Sequence, residues 1–172
     1  MRFLPLTDID PEAVEHLLDR AFGPDRRTRT AYQVRGAARP IPELSFAAVD
    51  GAGLVGTVQC WPVRFAPDRG EPVELVMVGP VAVSPERQHG GVGRELMARA
   101  LAAADRTGHA DRLMLIGDPE YYGRFFGFVA DRTGRWRLPG PVERRRLLAR
   151  GGAVPDAPGV LGPALDAGRA GP

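Results

Sequence analysis

The sequence predicts an α+β fold in which a mixed, mostly antiparallel central sheet is flanked by helices and has a splayed, bulged fourth strand. Three observations support this prediction. Three apolar strand segments follow one another in the centre of the chain, separated by turn residues, as in an antiparallel meander. A helix and a further strand come next, in the order of a right-handed crossover between parallel neighbours. Gly79-Pro80 interrupts the last strand of the meander.

The chain begins with a strand and a capped helix. Arg2–Leu6 is the first strand candidate. Asp10 is an N-cap residue, Pro11 suits the first helical position, and apolar residues at helical spacing continue to Phe22. The polar, arginine-rich stretch 26–36 predicts a short second helix.

The middle of the chain supplies the meander and the crossover. Apolar runs at Leu44–Val49, Leu54–Phe65 and Val73–Val83 predict three strands joined by turns. One face of the following helix is marked by apolar residues at helical spacing, namely Leu96, Met97, Ala100, Leu101 and Ala104. The buried strand Arg112–Ile116 then completes the crossover.

The remaining elements of the predicted sheet are short. Asp118 and Pro119 repeat the N-cap signal and predict a short helix over Glu120–Phe126. Gly127–Ala130 and Arg144–Ala149 are the closing strand candidates, and the second of them is equally compatible with a helix.

Length and composition determine the domain organisation that we expect. With 172 residues, of which 44% are hydrophobic, the chain is long enough for one globular core. We expect a single domain over residues 1–150. Six glycines and four prolines fall within residues 151–172, and this Gly-, Pro- and Ala-rich stretch predicts a loosely packed or wrapping tail.

The basic residues exclude several classes of chemistry. All 23 of them are arginines, so the chain has no lysine for a Walker-type phosphate site, for a Schiff base or for a general base. The formal net charge is +2 and is spread along the chain, which argues against a nucleic-acid-binding protein.

Cysteine, histidine and hydropathy patterns predict a cytoplasmic protein without a metal site. Cys60 is the only cysteine in the sequence, so an intramolecular disulfide is impossible. The three histidines are scattered along the chain, which disfavours a metal centre. No apolar run reaches the ~18 residues that span a bilayer and no signal-peptide pattern is present, so we expect no membrane association.

The Gly79-Pro80 pair predicts an opening in the sheet. Proline has no N–H for a strand ladder, so a strand that contains one bends or loses pairing at that point. The backbone groups of Val81, Ala82 and Val83 would then be available to an extended ligand. A plain edge strand that tolerates a proline is the alternative.

A glycine-rich segment separates this strand from the following helix. It consists of Gln88, His89, Gly90, Gly91, Val92 and Gly93. Glycines at a helix start let the backbone approach a ligand closely, and the N–H groups and helix dipole there favour phosphate. Arg87 and Arg94 flank the segment and can add charged hydrogen bonds. Leu96 stands where a dinucleotide fingerprint needs glycine, and a flexible turn is the alternative interpretation.

Together, the two features resemble the GNAT family of acyl-CoA-dependent N-acetyltransferases. That family's phosphate loop, Gln/Arg-x-x-Gly-x-Gly/Ala, matches residues 88–93 position for position. Residues 79–85, 117–119 and 122–128 are similar to the YhbS-like branch of the family. The resemblance implies the GNAT fold, in which the pantetheine arm of CoA lies along the bulged fourth strand.

The resemblance also implies an activity and a cosubstrate. Such an enzyme moves an acetyl group from acetyl-CoA to a primary amine by direct attack, without a covalent acyl-enzyme and without a metal. The acceptor would be a small-molecule or peptide amine. The resemblance is also compatible with a homodimer. The residues expected to bind acetyl-CoA are Val81, Ala82, Val83, Gln88, His89, Gly90, Gly91, Val92, Gly93 and Arg94. A non-catalytic acyl-CoA-binding regulatory module and a nucleotide-phosphate binder are the alternative functions.

The resemblance assigns the catalytic acid to a tyrosine on the short helix. Tyr122 matches, because Tyr-x-x-Phe precedes the Gly-Phe pair that opens the next strand. The chain has one more Phe than the family pattern, so the count back from Phe128 falls on Gly123, whereas the count from the helix start falls on Tyr122. Tyr121 becomes the rival if the additional residue is accommodated before the tyrosine.

The general base and the acceptor site are not determined by the sequence. Relatives with a glutamate base carry it on the fourth strand at the position of Met77. Glu74 lies three residues earlier, so its side chain would point to the opposite face of the sheet. The candidates for recognition of an acidic acceptor are Arg26, Arg27, Arg29 and Tyr32. A solvated helix face is the more common explanation of such a charge run, and the same applies to residues 144–146.

Overall fold

The structure of the chain is a computed structural model that describes residues 1–51 and 53–164. Within these residues, α-helices span Pro11–Phe22 (α1), Thr30–Arg35 (α2), Val92–Arg106 (α3) and Pro119–Phe126 (α4). Strands span Arg2–Pro5 (β1), Phe46–Asp50 (β2), Gly53–Pro67 (β3), Val73–Val83 (β4), Leu113–Ile116 (β5), Trp136–Arg137 (β6), Leu147–Arg150 (β7) and Gly159–Pro163 (β8).

The strands pair in a mixed, mostly antiparallel pattern. Hydrogen-bonded neighbours follow the order β1-β2-β3-β4-β5-β7, and β8 pairs with β3 and β6. The pairs β1–β2, β2–β3, β3–β8 and β5–β7 are antiparallel, whereas β4–β5 and β6–β8 are parallel. Helix α3 connects the parallel strands β4 and β5, as the predicted crossover requires. The predicted α+β fold class is confirmed.

The chain divides into two compact units, of which the first comprises residues 1–27, 40–60 and 78–107. In this unit, the Asp10 carboxylate caps α1 by accepting a hydrogen bond of 3.1 Å from the N–H of Glu12. The buried cluster that anchors α1 contains Val14, Leu17, Leu18 and, from β4, Ala82. The predicted N-cap and apolar stripe of the first helix are therefore confirmed.

Helix α3 packs closely on β3 within the first unit. Gly56 of β3 lies beneath the helix, where a Cβ would stand 3.0 Å from side-chain atoms of Val92 and Leu96. A larger residue at position 56 would push the helix away from the strand, so the close approach of the start of α3 to β3 requires glycine here.

The second unit comprises residues 28–39, 61–77 and those from 108 onward. Its core surrounds the Trp136 ring, whose centroid lies 4.7 Å from that of Phe65. Buried side chains from four strands complete the core, namely Leu75, Met77, Met114, Leu147 and Leu161. The indole N–H of Trp136 donates to the carbonyl of Pro155 at 3.2 Å, so the segment after residue 150 takes part in this core.

The region after α4 differs from the sequence prediction. Gly127–Ala130 contributes one isolated bridge, between Val129 and Ala149, rather than a strand. The candidate strand Arg144–Ala149 is divided into a 3-10 turn over Arg144–Arg146 and strand β7. Strand β6 has two residues, too few for a periodicity from which a strand could be predicted.

Residues 159–163 form strand β8 where the composition predicted a loosely packed or wrapping tail. This strand pairs antiparallel with residues 63–67 of β3. Gly159 permits the pairing, because a Cβ there would lie 2.5 Å from the carbonyl oxygen of Ala66. Gly159 weakens the strand signal in the sequence, yet the pairing of β8 with β3 requires a glycine at this position. Residues 165–172 of the expected tail lie outside the described residues, and the domain division at residue 150 stays a prediction.

We predict that Leu161→Ala lowers the free energy of unfolding by about 2–5 kcal/mol, because it removes a fully buried side chain from the core of the second unit. Val160→Ala is the matched control on the same strand, because Val160 is 44% exposed and its truncation costs about 1 kcal/mol or less. Chemical denaturation measures both values. Equal losses for the two variants would contradict the packing of β8 into this core.

Candidate active site

Pairing between β4 and β5 ends ahead of the Gly79-Pro80 pair. The parallel ladder joins Val76 to Leu113 and Met77 to Met114. Gly79 has a φ of +117° and is joined to Pro80 by a cis peptide bond, and β4 continues from there to Val83. Among the described residues, the ladder with β5 thus stops before the proline, as the prediction of a splayed fourth strand requires.

Beyond the proline, alternate residues of β4 turn their backbone groups in opposite directions. The N–H of Ser84 donates to the carbonyl of Val55 on β3 at 2.9 Å. By the alternation of an antiparallel ladder, Ala82 faces β3 as well, and Val81 and Val83 face away from it. The carbonyl of Val83 accepts a hydrogen bond of 3.5 Å from the side-chain amide of Gln88, which agrees with this direction. Val81 and Val83 therefore have backbone groups that face away from β3. The third residue of the prediction, Ala82, directs its backbone groups toward β3.

The glycine-rich segment forms an exposed approach to α3. A 3-10 turn over Pro85–Arg87 leads to His89, which has a φ of +73°, and to Gly91, the N-cap of α3, with a φ of +85°. Gly91 has no side chain to cap the helix, so the first N–H groups of α3 have no capping partner from this position. Their dipoles make this end of α3 a positive site in an exposed loop.

Gly93 places the first turn of α3 over the side chains of β4. A Cβ at this position would lie 3.6 Å from a methyl carbon of Val83 and 3.7 Å from one of Val81. The first turn of α3 therefore lies over the side chains of Val81 and Val83 within the first unit.

The two arginines that flank the segment have different surroundings. The guanidinium of Arg87 forms an ion pair with Asp50, at the end of β2. Its neighbour Glu86 pairs with Arg20 of α1 at 2.9 Å. Arg94 lies exposed in the first turn of α3. The Arg87–Asp50 ion pair could not be predicted, because a partner 37 residues away leaves no local signal in the sequence.

Tyr122 lies on α4 in the second unit, with its ring over Gly117. A Cβ at Gly117 would lie 2.5 Å from Cε2 of the tyrosine, so this close contact requires glycine directly after β5. Burial raises the pKa of the Tyr122 phenol to about 12; Tyr121 and Asp118 raise it as well, whereas the positive charge of Arg146 lowers it. The phenol therefore keeps its proton at neutral pH and can act as an acid.

Helix α4 ends in the segment that contains the additional phenylalanine. The helix continues to Phe126 and ends at Gly127, which has a φ of +76° and donates its N–H to the last turn. Phe125 is 40% exposed at the end of the helix, and Phe128 is buried beyond it. That the additional residue is accommodated after Tyr122 stays a prediction. Tyr121 packs edge-on against Tyr122, with ring centroids 4.9 Å apart.

The base candidates of the sequence are occupied or buried. The Glu74 carboxylate accepts a hydrogen bond of 2.7 Å from Nε of Arg64, in an ion pair at the surface of the second unit. Met77 is buried in the core. In the first unit, burial raises the pKa of the Cys60 thiol to about 12, so this cysteine is not a thiolate nucleophile at neutral pH.

Two of the three arginines proposed for acceptor recognition, Arg26 and Arg27, are held by other residues of the chain. Arg26 is buried and donates to Asp19 at 2.8 Å and to Glu15 at 2.5 Å, and Arg27 also donates to Glu15, at 2.6 Å. These bonds tie the segment after α1 back to that helix. In the second unit, the guanidinium of Arg35 lies 3.7 Å from the centroid of the Tyr32 ring.

Comparison with known proteins identifies the family. The model of the Acetyltransferase (GNAT) family matches residues 12–128. The chain belongs to this family. It is 30% identical over 134 residues, 77% of each chain, to a protein of Escherichia coli strain K12 described as uncharacterized N-acetyltransferase YhbS. The resemblance to the GNAT family is thus confirmed, and the chain is an N-acetyltransferase by family.

Solved structures of GNAT proteins share the fold. E. coli YhbS in complex with CoA superposes with a TM-score of 0.71 at 22% identity, over 99% of this chain and 93% of that one. A GNAT acetyltransferase of Brucella melitensis in complex with acetyl-CoA gives a TM-score of 0.51 at 22% identity, over 88% of this chain and 96% of that one. The family match includes the bulge, the glycine-rich segment and Tyr122.

The helices and the potential metal-ligating side chains of the described residues bear on the membrane and metal predictions. In residues 1–51 and 53–164, none of the helices combines the length and the apolar character needed to cross a bilayer. In the same residues, no group of three or more His, Cys, Asp and Glu side chains is arranged to hold a metal ion.

We predict that Gly117→Ala lowers the free energy of unfolding by about 1–3 kcal/mol, because its methyl group would overlap the Tyr122 ring. Gly134→Ala is the matched control, because a Cβ there meets nothing within 4 Å and should change stability by about 0.5 kcal/mol or less. Urea denaturation measures both. In a Tyr122→Ala background the cost of Gly117→Ala should largely disappear, and an undiminished cost would contradict the contact.

Proposed function

We propose that this GNAT protein transfers the acetyl group of acetyl-CoA to a primary amine by direct attack. The observation that carries the proposal is the end of the β4–β5 ladder before Pro80, which leaves the backbone of Val81 and Val83 facing away from β3, near the exposed start of α3. The complexes of E. coli YhbS with CoA and of the Brucella protein with acetyl-CoA support the choice of cosubstrate. A small-molecule or peptide amine as acceptor, a homodimer and a cytoplasmic location remain predictions.

The pyrophosphate of acetyl-CoA would bind at the start of α3. The residues proposed to hold it are Gln88, His89, Gly90, Gly91, Val92, Gly93 and Arg94. Their support is the exposed loop, the left-handed N-cap at Gly91 and the uncapped N–H groups of the helix. Arg94, which is exposed in the first turn of α3, would add a charged side chain.

The pantetheine arm would lie along β4 as an additional strand. The N–H groups of Val81 and Val83 face away from β3 and would pair with its amides or polarise the thioester carbonyl. Ala82 would contribute packing, because its backbone faces β3 and its side chain lies in the cluster under α1. A polarised carbonyl carbon is the electrophile that the amine attacks.

Tyr122 would supply the proton for the leaving group. The amine nitrogen forms a bond to the thioester carbon, the carbon–sulfur bond breaks, and the CoA thiolate takes the phenolic proton. The amine loses one proton to water, and Tyr122 is reprotonated from solvent. The phenol is protonated at neutral pH, so its proton is available to the thiolate. An acyl-enzyme on Cys60 is disfavoured because its thiol is buried and protonated.

Ligand-induced thermal stabilisation tests the cosubstrate. Acetyl-CoA or CoA at 100 times its Kd should stabilise the protein by about 2.7 kcal/mol, whereas ATP and NAD at equal concentration should add less. Lack of a response to both CoA species would contradict the proposal. Release of free thiol from acetyl-CoA across a panel of primary amines then distinguishes an enzyme from a module that only binds acyl-CoA.

We predict that Tyr122→Phe lowers kcat for thiol release by about 100-fold, because it deletes the proton donor. The Kd for CoA should stay within about twofold of the wild-type value, because the phenol acts on the leaving group and not on the pyrophosphate. Tyr121→Phe is the matched control on the same helix and should retain turnover. Loss of turnover in Tyr121→Phe with normal turnover in Tyr122→Phe would reverse the assignment.

A further inference from the structure

Arg146 lies directly opposite Gly117, just beyond the ladder between β5 and β7. The last pair of this antiparallel ladder is Ile116 with Leu147. One step further, the N–H of Gly117 donates to the carbonyl of Arg146 at 2.9 Å, so the same register continues to this pair. Directly opposite residues of an antiparallel pair point to the same face of the sheet, with Cβ atoms about 4.5–5.5 Å apart. The Arg146 side chain therefore begins beside the position that a Cβ of Gly117 would take.

The ring of Tyr122 lies on that same face. A Cβ at Gly117 would point into the ring, 2.5 Å from Cε2 and 2.8 Å from Cδ2. It would also lie 3.2 Å from Cδ1 of Leu115, two residues earlier on the same face of β5. The opposite face carries side chains of the core of the second unit, namely Met114, Leu147 and Ala149. Arg146 and the Tyr122 ring therefore share the face of the β5–β7 pair that turns away from this core.

Arg146 brings a positive charge to the surroundings of the Tyr122 phenol. Its side chain is half-buried, and among residues 1–51 and 53–164 its guanidinium has no ion-pair partner. The neighbouring Arg145, by contrast, pairs with Glu120 at 3.3 Å. Burial raises the pKa of the phenol, and so do Tyr121 and Asp118 on its own helix, whereas the charge of Arg146 lowers it.

A nearby positive charge reduces the cost that burial imposes on the proposed acid. A phenol with a pKa of about 12 releases its proton less readily than a free tyrosine, whose pKa is about 10. When the proton moves to the CoA thiolate, a phenolate forms in a site that is shielded from water. An opposite charge within about 4–6 Å favours the charged form of such a group by about 1–3 pKa units. Arginine can supply this charge at every step, because it stays protonated in proteins.

We propose that Arg146 is a positioning residue for the proton transfer, and that its guanidinium stabilises the phenolate of Tyr122 while the CoA thiolate takes the proton. This inference rests on the proposed function and adds one residue to it. The phenolic O–H bond breaks, the sulfur gains the proton, and the phenolate is reprotonated from solvent. Arg146 neither gains nor loses a proton. In the sequence, residues 144–146 form one charge run, and the structure distinguishes Arg146 by its place opposite Gly117.

The test measures thiol release from acetyl-CoA with the primary amine of the panel that the wild-type protein turns over fastest. Arg146→Gln should lower kcat by about tenfold, the effect of one pKa unit on the phenolate. The Kd for acetyl-CoA should stay within about twofold of the wild-type value. Arg146→Lys should restore most of the lost kcat, because lysine supplies the charge again. Both variants should fold, because the contact with Gly117 is made by the backbone of Arg146.

The same substitution in a Tyr122→Phe background separates this role from a structural one. Without the phenol no phenolate forms, so Arg146→Gln should then change the remaining kcat by less than about twofold. Arg145→Gln is the matched control, because it removes the same charge from the neighbouring residue and should leave kcat within about twofold of the wild-type value.

Three results would overturn the role of Arg146 and leave the proposed function in place. They are an unchanged kcat in Arg146→Gln, a loss that Arg146→Lys does not restore, and an equal loss in the Tyr122→Phe background. Wild-type turnover in Tyr122→Phe would instead overturn the proposed acid, and the role of Arg146 with it. Failure to bind acetyl-CoA, or absence of turnover across the amine panel, would overturn the proposed function itself.

Discussion

The edge of β4 that faces β5 is open beyond Pro80, because this residue cannot donate a backbone hydrogen bond. Because proline has no N–H, the parallel pairing with β5 is confined to Val76 and Met77, and it ends before the Gly79-Pro80 pair. β3 still holds the strand on its other side, so β4 stays extended to Val83 instead of becoming a loop. An extended backbone with outward-facing amides is what a peptide-like pantetheine chain can pair with. The proposed acetyl-CoA site follows from this single missing donor.

In a chain without lysine, the phosphate site that we propose at the start of α3 relies on backbone N–H groups and on arginine. The N-cap of α3 is Gly91, which brings no side chain between the helix N–H groups and a ligand. The position of the helix start in turn depends on two glycines, Gly56 on β3 and Gly93 facing β4. Close packing of small residues thus sets the position of the helix start at which we propose that phosphate binds. The same reliance on glycine recurs at Gly117, which admits the ring of the proposed acid Tyr122.

Elements with local signals could be predicted from the sequence, and those that depend on distant contacts could not. Asp10 and Asp118 each precede a proline and cap their helices as predicted, because a cap needs only neighbouring residues. Strand β8 escaped prediction because its glycine and proline are tolerated only through pairing with β3. The Arg87–Asp50 ion pair and the position of Arg146 opposite Gly117 also leave no trace in the sequence, because each is defined by residues far along the chain.

Amide hydrogen exchange, resolved residue by residue by NMR, tests most directly whether the backbone of β4 beyond Pro80 is the cosubstrate site. Saturating CoA should slow exchange of the Val81 and Val83 amides by about tenfold or more, because they gain a hydrogen-bonded partner. The Ala82 amide faces β3 and should change far less. Unchanged exchange at Val81 and Val83 in a protein saturated with CoA would contradict the account.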